Sequence, residues 1–359
     1  MTNSTNSEGG ARLRKSNPNS GPTMHDVAAL AGVSQATVSL VLNDVSGSRF
    51  SQKTKDKVET AVEQLGYRTN AHAKVLREGV SGMVGFVGDV VASAPFAGKI
   101  IEGAQERAWE SGLLVLTVNT NGDKELERAS LEAMLSYKVA GVVYASMYHR
   151  KVDVPAALRG VPSVVLNSED RDRRIPSIIP DEELGGYAAT KRLLDAGHRR
   201  VAMLNIETLE SGLPAALGRY AGYTRALNEA GLTVDPAIVR FGDGNPGDGH
   251  RYAREVMAAG NPPTAIFCAN DRTAWGAYQA LDQMGCRIPQ DVAIIGFDNQ
   301  ETLAPYLQPG LTTMDLPFVS MGRRAVEMLI EGGEPDGRIE ALECALIERS
   351  SVTNSGEAE

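Results

Sequence analysis

Residues 23–43 read TMHDVAALAGVSQATVSLVLN, and this stretch decides the fold of the amino-terminal region. Thr23 and Asp26 have the S/T-x-x-D spacing of a helix start, directly after Pro22. Val27, Leu30 and Ala31 give that helix an apolar face, and Gly32 can take the positive φ that ends it in a tight turn. Ser34 is placed to cap the next helix, where Val38, Val41 and Leu42 recur at helical spacing. Two short helices across an Ala-Gly-Val turn form a helix-turn-helix, whose second helix enters the major groove in a DNA reader. A third helix is expected over QKTKDKVETAVEQL after Ser51, with Val58, Val62 and Leu65 inward and Gly66 ending it. Periodicity alone leaves a plain three-helix bundle without a DNA role equally open.

Outside this stretch, composition sets the frame. A chain of 359 residues holds more than one ordinary domain, and 42% hydrophobic with 23% charged residues is the balance of a soluble globular protein. Residues 1–22 are polar and rich in Ser, Asn and Gly, and read as a disordered tail. They carry no secretory h-region, and no run of 18 apolar residues occurs, so a cytoplasmic protein without a membrane span is expected. The net charge of −9 hides an asymmetry: residues 1–80 carry 10 Lys/Arg against 7 Asp/Glu, residues 81–359 carry 26 against 38. That is the pattern of a basic reader fused to an acidic sensor. Cys268, Cys286 and Cys344 form no CxxC or Cys/His cluster, so neither metal nor cofactor is expected, and Cys268 in its apolar run reads as a buried thiol.

From Met83 onward, the short apolar runs MVGFVG, LLVLTV, GVVYA, SVVLN, VAMLNI, TAIFC and VAIIGF alternate with amphipathic segments at 98–111, 123–137, 183–196, 218–230 and 271–284. Such alternation means βαβ units and parallel sheets, here two doubly wound subdomains with a cleft between them. Ligands bind beyond the carboxyl ends of strands in such sheets. Asp89, Asn167, Asn270-Asp271 and Asp298 stand at those places. Each could equally be a helix N-cap, and for Asp271 capping is the preferred reading. Phe96 and Phe318 could wall a sugar face or belong to the core.

The stretch 23–43, with SQKTKDKVETAVEQLGYRTNAHAKVL after it, closely resembles the headpiece of the LacI/GalR family of bacterial repressors. The resemblance continues in family order through DAGHRRVAML, GRYAGYTRAL, AIFCANDRTAWGAYQAL, VAIIGFD and LTTM. It implies an all-α helix-turn-helix headpiece at 23–69 and a hinge helix and linker at 70–79. It further implies an α/β periplasmic-binding-protein-like sensor at 80–359 with three crossovers. The sensor's N-subdomain would cover about 80–181 and 315–340, and its C-subdomain about 182–314 and 341–359.

By motif position, Gln35 and Ala36 fall where the family reads base edges; Gln can pair with adenine and Ala can meet a thymine methyl. Leu40 stands where Arg is frequent and cannot make the guanine fork. Thr23, Ser34, Thr37, Ser39, Asn43, Lys53, Tyr67 and Asn70 match phosphate-contact positions, which fix register rather than sequence. Residues 70–76, with Ala73 and Leu76, match the hinge helix, too short to be stable alone and expected to fold when paired on DNA. Leu76 matches the leucine that wedges into a central base step. Thr69 departs from the proline usual before the hinge.

In the sensor, Asn167, Asn270, Asp298 and Arg219 match effector positions, and the arginine fork suits hydroxyls or a carboxylate. The segment GDGNPGDG at 242–249 lacks the aromatic residue that relatives often place over the ligand, which favours a polyhydroxylated sugar over a flat purine. The chain is thus expected to be a homodimeric regulator on a pseudo-palindromic operator, probed by a sugar effector; a nucleoside or phosphoprotein co-regulator stays open. An enzyme is set aside because GDGNPGDG lacks the GK[ST] of a P-loop, GMVGFVG lies within a strand run, and His149, His198 and His250 have no acid or thiol at useful spacing. A secreted sugar-binding protein is set aside because of the headpiece and the missing signal peptide.

Overall fold

The computed structural model describes residues 22–42, 50–67, 81–90, 98–332 and 336–353. The expected tail up to residue 21, the hinge helix at 70–79, and Asn43, Asn70, Ala73, Leu76 and Phe96 lie outside the described residues. The chain divides into two compact units, Met1–Gly79 and Val80–Glu359.

In the first unit, α1 (Met24–Ala31) opens on a reciprocal capping box: Thr23 N–H donates to Asp26 Oδ2 at 2.8 Å, and Asp26 N–H to Thr23 Oγ1 at 3.4 Å. Gly32 at φ +67° closes it. The axis then turns by 101° into α2 (Gln35–Leu42), the crossing expected of a helix-turn-helix. Ser34 caps α2 by accepting from Thr37 N–H at 3.0 Å. α3 (Gln52–Leu65) starts on Ser51 and ends on Gly66 at φ +61°. Val27, Ala28, Ala31, Val38, Val58 and Ala61 form the core, with Val41, Leu42, Val62 and Leu65 packed around it. Leu30, expected to face inward, is 51% exposed. An eight-residue helix buries one narrow stripe, and Ala28 rather than Leu30 shares it with Val27 and Ala31.

The second unit is built on two six-stranded sheets. The first contains β1 (Met83–Gly88), β2 (Leu114–Asn119), β3 (Val142–Ala145), β5 (Ser163–Leu166), β7 (Ser177–Pro180) and β13 (Ile339–Leu342), in the order β13-β7-β5-β3-β1-β2. All its pairs are parallel. A separate ribbon pairs β4 (Lys151–Val152) with β6 (Glu169–Asp170). The second sheet contains β8 (Val201–Asn205), β9 (Val239–Phe241), β10 (Ala265–Cys268), β11 (Ala293–Phe297), β12 (Thr312–Asp315) and β14 (Ala345–Ile347), in the order β14-β12-β11-β10-β8-β9, with only β14 antiparallel. The expected apolar runs are all strands; the further strands β4, β6, β7, β9, β12, β13 and β14 have short, polar-flanked sequences without a distinctive run.

Helices α4 (Gly98–Glu110), α5 (Lys124–Ser136) and α10 (Phe318–Glu331) pack on the first sheet, while α6 (Glu182–Asp195), α7 (Pro214–Glu229), α8 (Pro246–Met257) and α9 (Asp271–Gln283) pack on the second. The chain crosses between sheets after β7, after β12 and after β13, so two crossings lie a residue or two beyond the expected 315 and 340. The pairing of β12 carries the second sheet through Asp315, and β13 pairs with β7 as far as Leu342. α6 and α7 touch backbone to backbone: a Cβ on Gly222 would lie 2.1 Å from Glu183 O, and one on Gly186 2.4 Å from Arg219 O. Only glycine permits this approach, and it sets Glu182 and Arg219 side by side. Among the described residues, no single helix is long and apolar enough to cross a membrane.

Candidate functional site

The order of each sheet reverses once, between β1 and β3 in the first and between β8 and β10 in the second. Beyond the carboxyl ends of the strands at such reversals, the flanking loops part and leave a crevice. A cavity occupies this place in the second unit. Its walls include Met147, Tyr148, His149 and Asn167 from the first sheet, and Arg219, Asn270, Arg272 and Asp298 from the second. Glu182, Leu316 and Phe318 come from the segments that cross between them.

Of the residues singled out by sequence, Asn167, Arg219, Asn270, Asp298 and Phe318 line this cavity. Asn167 takes φ +53°, a backbone that Asn tolerates, and its Nδ2 donates to the carbonyls of Ser146 at 3.0 Å and Met147 at 2.9 Å. It thereby ties the end of β5 to the loop after β3. Asn270, not Asp271, caps α9: its Oδ1 accepts from Thr273 N–H at 2.7 Å and its Nδ2 donates to Gly244 O at 2.9 Å. Its replacement by Ala should cost about 1–2 kcal/mol of sensor stability, measured by urea unfolding, whatever it does to ligand.

Asp271 is a buried acid instead, accepting from Thr313 Oγ1 at 2.6 Å and Gln300 N–H at 2.7 Å. Burial, and the neighbouring Asp298, push its carboxyl well above the usual range. Asp298 sits at φ +94°; its Oδ2 accepts from Gln300 Nε2 at 3.1 Å, while Oδ1 is buried without a hydrogen bond. Burial pushes this carboxyl up to about 6, against the pull of Gln300, Arg219 and Arg272. Phe318 serves both expected readings, belonging to the core around Phe86, Ile100 and Met321 while showing an edge to the cavity.

Two expectations need correction. Asp89 does not line the cavity: its Oδ1 accepts from Met147 N–H at 2.9 Å and its Oδ2 from Arg150 Nη2 at 2.8 Å, so it pins the loop after β3. Histidine without an acid partner fails for His149. This buried imidazole lies 3.3 Å from Glu169 Oε1 through Nε2 and 3.7 Å from Glu182 Oε1 through Nδ1. Burial alone would lower its pKa, but the two carboxylates more than offset that and raise it. The partners are 20 and 33 residues away in sequence, on β6 and α6, so no spacing rule could pair them.

Glu182 also receives Arg219 Nε at 2.7 Å, with both side chains almost wholly buried. Burial would raise the Glu182 carboxyl, but Arg219 and His149 bring it down to about 2. Arg219 additionally donates through Nη1 to Ala269 O and stacks 3.9 Å over the Phe297 ring. The expected free arginine fork is therefore partly engaged, leaving three of its five donors. His198 bonds Thr264 Oγ1 at 3.0 Å, and Cys268 is a buried thiol.

On the headpiece, Gln35, Ala36 and Leu40 of α2 are exposed while Val38 is buried, and Ser39 is half-buried. Thr23, Ser34 and Lys53 are exposed, whereas Thr37 and Tyr67 are half-buried, Tyr67 against the core. Thr23 and Ser34 also serve as caps, so their hydroxyls are already held in place.

Residues 23–70 match the model described as bacterial regulatory proteins, lacI family, and residues 190–352 match a periplasmic binding protein-like domain. The chain is 34% identical to the HTH-type transcriptional repressor PurR of Pasteurella multocida, over 86% of this chain and 91% of that one. It is 33% identical to a ribose operon repressor of Haemophilus influenzae, again over 86% of this chain and 91% of that one. Its structure is similar to that of the lac repressor dimer bound to operator and the anti-inducer ONPF. The TM-score is 0.76 at 27% identity, covering 93% of this chain and 99% of that one. With curated relatives matched over nearly their full length and both component domains present, the chain belongs to the LacI family of bacterial transcriptional repressors.

Proposed function

We propose that this repressor binds a two-fold operator as a homodimer and that a sugar in the sensor cleft controls its affinity for DNA. The observation that carries the sugar reading is the convergence of Asn167, Arg219, Asn270 and Asp298, from four distant segments, on one cavity. Amide, carboxyl and guanidinium groups together offer donors and acceptors in the paired fashion that vicinal hydroxyls need. Relatedness to a repressor of a ribose operon supports the same class.

The cavity walls come from both sheets of one unit, so a ligand that touches both favours a particular angle between them. A shift in operator affinity then requires that ligand affinity differ between the two arrangements. Tyr148, 51% exposed at the cavity, favours a second reading, a nucleoside whose base stacks on its ring. A panel of neutral sugars, sugar acids, sugar phosphates and nucleosides, scored by thermal shift and by operator affinity, separates the readings. Response to nucleosides alone would reject the sugar.

For DNA, Gln35 and Ala36 are assigned to base edges and Thr23, Ser34, Thr37, Ser39, Lys53 and Tyr67 to phosphates. The exposure of Gln35 and Ala36 at the start of α2 supports the first group. Gln35→Ala should weaken the cognate operator by about 1–3 kcal/mol and leave random-sequence affinity nearly unchanged. Competition gel shifts check this; equal losses on both DNAs would move Gln35 to the phosphate group.

A further inference from the structure

A cavity wall states its ligand's chemistry through the polar groups it leaves unsatisfied, because an orphaned buried group costs free energy until something meets it. Among the described residues, the cavity holds three such atoms: Arg272 Nε, His149 Nδ1 and Asp298 Oδ1. The cations at the cavity differ in what holds them. Arg219 is neutralised by Glu182, and His149 is held between Glu169 and Glu182. Arg272, the third residue from the start of the NDR run after β10, finds no salt bridge or hydrogen bond among the described residues. Asp298 feels its charge through space, but the Asp298 carboxylate bonds Gln300 and not Arg272. A half-buried guanidinium is thus left at the cavity without a direct salt bridge or hydrogen bond among the described residues.

We infer that the effector is an acidic sugar, and that its carboxylate or phosphate group pairs with Arg272. The hydroxyls of the same molecule meet Asn167 and the remaining donors of Arg219 across the cleft. The anion supplies the direct partner that Arg272 lacks, and a planar guanidinium receives either kind of oxyanion through two parallel bonds. A neutral sugar would leave Arg272 as it is. This inference rests on the sugar reading above and narrows it.

The test uses the full-length protein and calorimetric titration with glucuronate, gluconate, glucose 6-phosphate and ribose 5-phosphate, beside glucose and ribose. At least one acidic probe should bind and shift operator affinity, with its neutral parent binding about tenfold or more weaker. Arg272→Met should weaken the acidic probe by a similar factor, and Arg272→Lys should recover part of the loss. Both variants should keep the parent's melting temperature and its operator affinity without probe, which guards against misfolding. Response to the carboxylates alone or to the phosphates alone identifies which oxyanion is used. Equal binding of an acid and its neutral parent, or an acid whose affinity ignores Arg272→Met, would overturn the inference while leaving the sugar reading standing. Silence from acidic and neutral sugars alike would reject both.

Discussion

Arg219→Ala should abolish the effector response and also destabilise the sensor by about 3–5 kcal/mol. The stability loss follows from what the guanidinium leaves behind. Glu182 is almost wholly buried, and its carboxyl is held ionised by Arg219 at 2.7 Å together with His149. Removing one partner of a buried ion pair strands the other charge in a medium that solvates it poorly. The same change removes the stack on Phe297 and the bond to Ala269 O, opening space between α7 and β11. Adding Glu182→Gln should restore much of the stability, because the stranded charge disappears, while the response stays lost. Urea unfolding of parent, single and double variants, beside ligand-dependent gel shifts, reads both effects. A single variant as stable as the parent would show that Glu182 does not depend on Arg219.

Asp298→Asn should stabilise the protein at pH 7.5 by on the order of 2–3 kcal/mol and do nothing at pH 3.5. The carboxyl titrates at about 6 when folded, against 3.8 for an ordinary aspartate. Between these values the folded chain keeps a proton that the unfolded chain has lost. Stability from this group therefore falls as pH rises through that window, and above it the folded state carries a buried charge whose Oδ1 has no hydrogen bond. Asparagine keeps the shape and cannot ionise. Asp271 beside it is raised by its own burial and by Asp298, so removing the Asp298 charge also eases Asp271. Melting curves of parent and variant across pH 3.5–8 give the comparison directly. A constant difference across that range would show that Asp298 ionises as freely as an exposed aspartate. The gain is expected to come at the expense of ligand affinity, as befits a strained group kept at a binding site.

How much of this was legible beforehand depends on how far apart in sequence the interacting residues are. The capping box of Thr23 and Asp26, the glycine stops at Gly32 and Gly66, and the caps at Ser34 and Ser51 each involve residues within about one helical turn. Local order suffices to read them, and the structure places them as expected. Apolar runs of buried parallel strands are equally local, and they place Asn167, Asn270 and Asp298 at strand ends without knowledge of the partners. Sequence thus determined the two-part architecture, the helix-turn-helix that carries Gln35 and Ala36, and which loops carry the cleft. Tertiary structure alone decided what each polar group at the cleft is occupied with. His149 meets Glu169 and Glu182, Arg219 is already half engaged, Asp89 is turned aside to hold a loop, and Asp271 is a buried acid rather than a cap. Those outcomes depend on the approach of α6 to α7 through Gly186 and Gly222 and on three crossings that bring the two sheets together. Charge pairing falls off within a few ångströms, so contacts between residues 20 to 61 positions apart are fixed only once the backbone has closed.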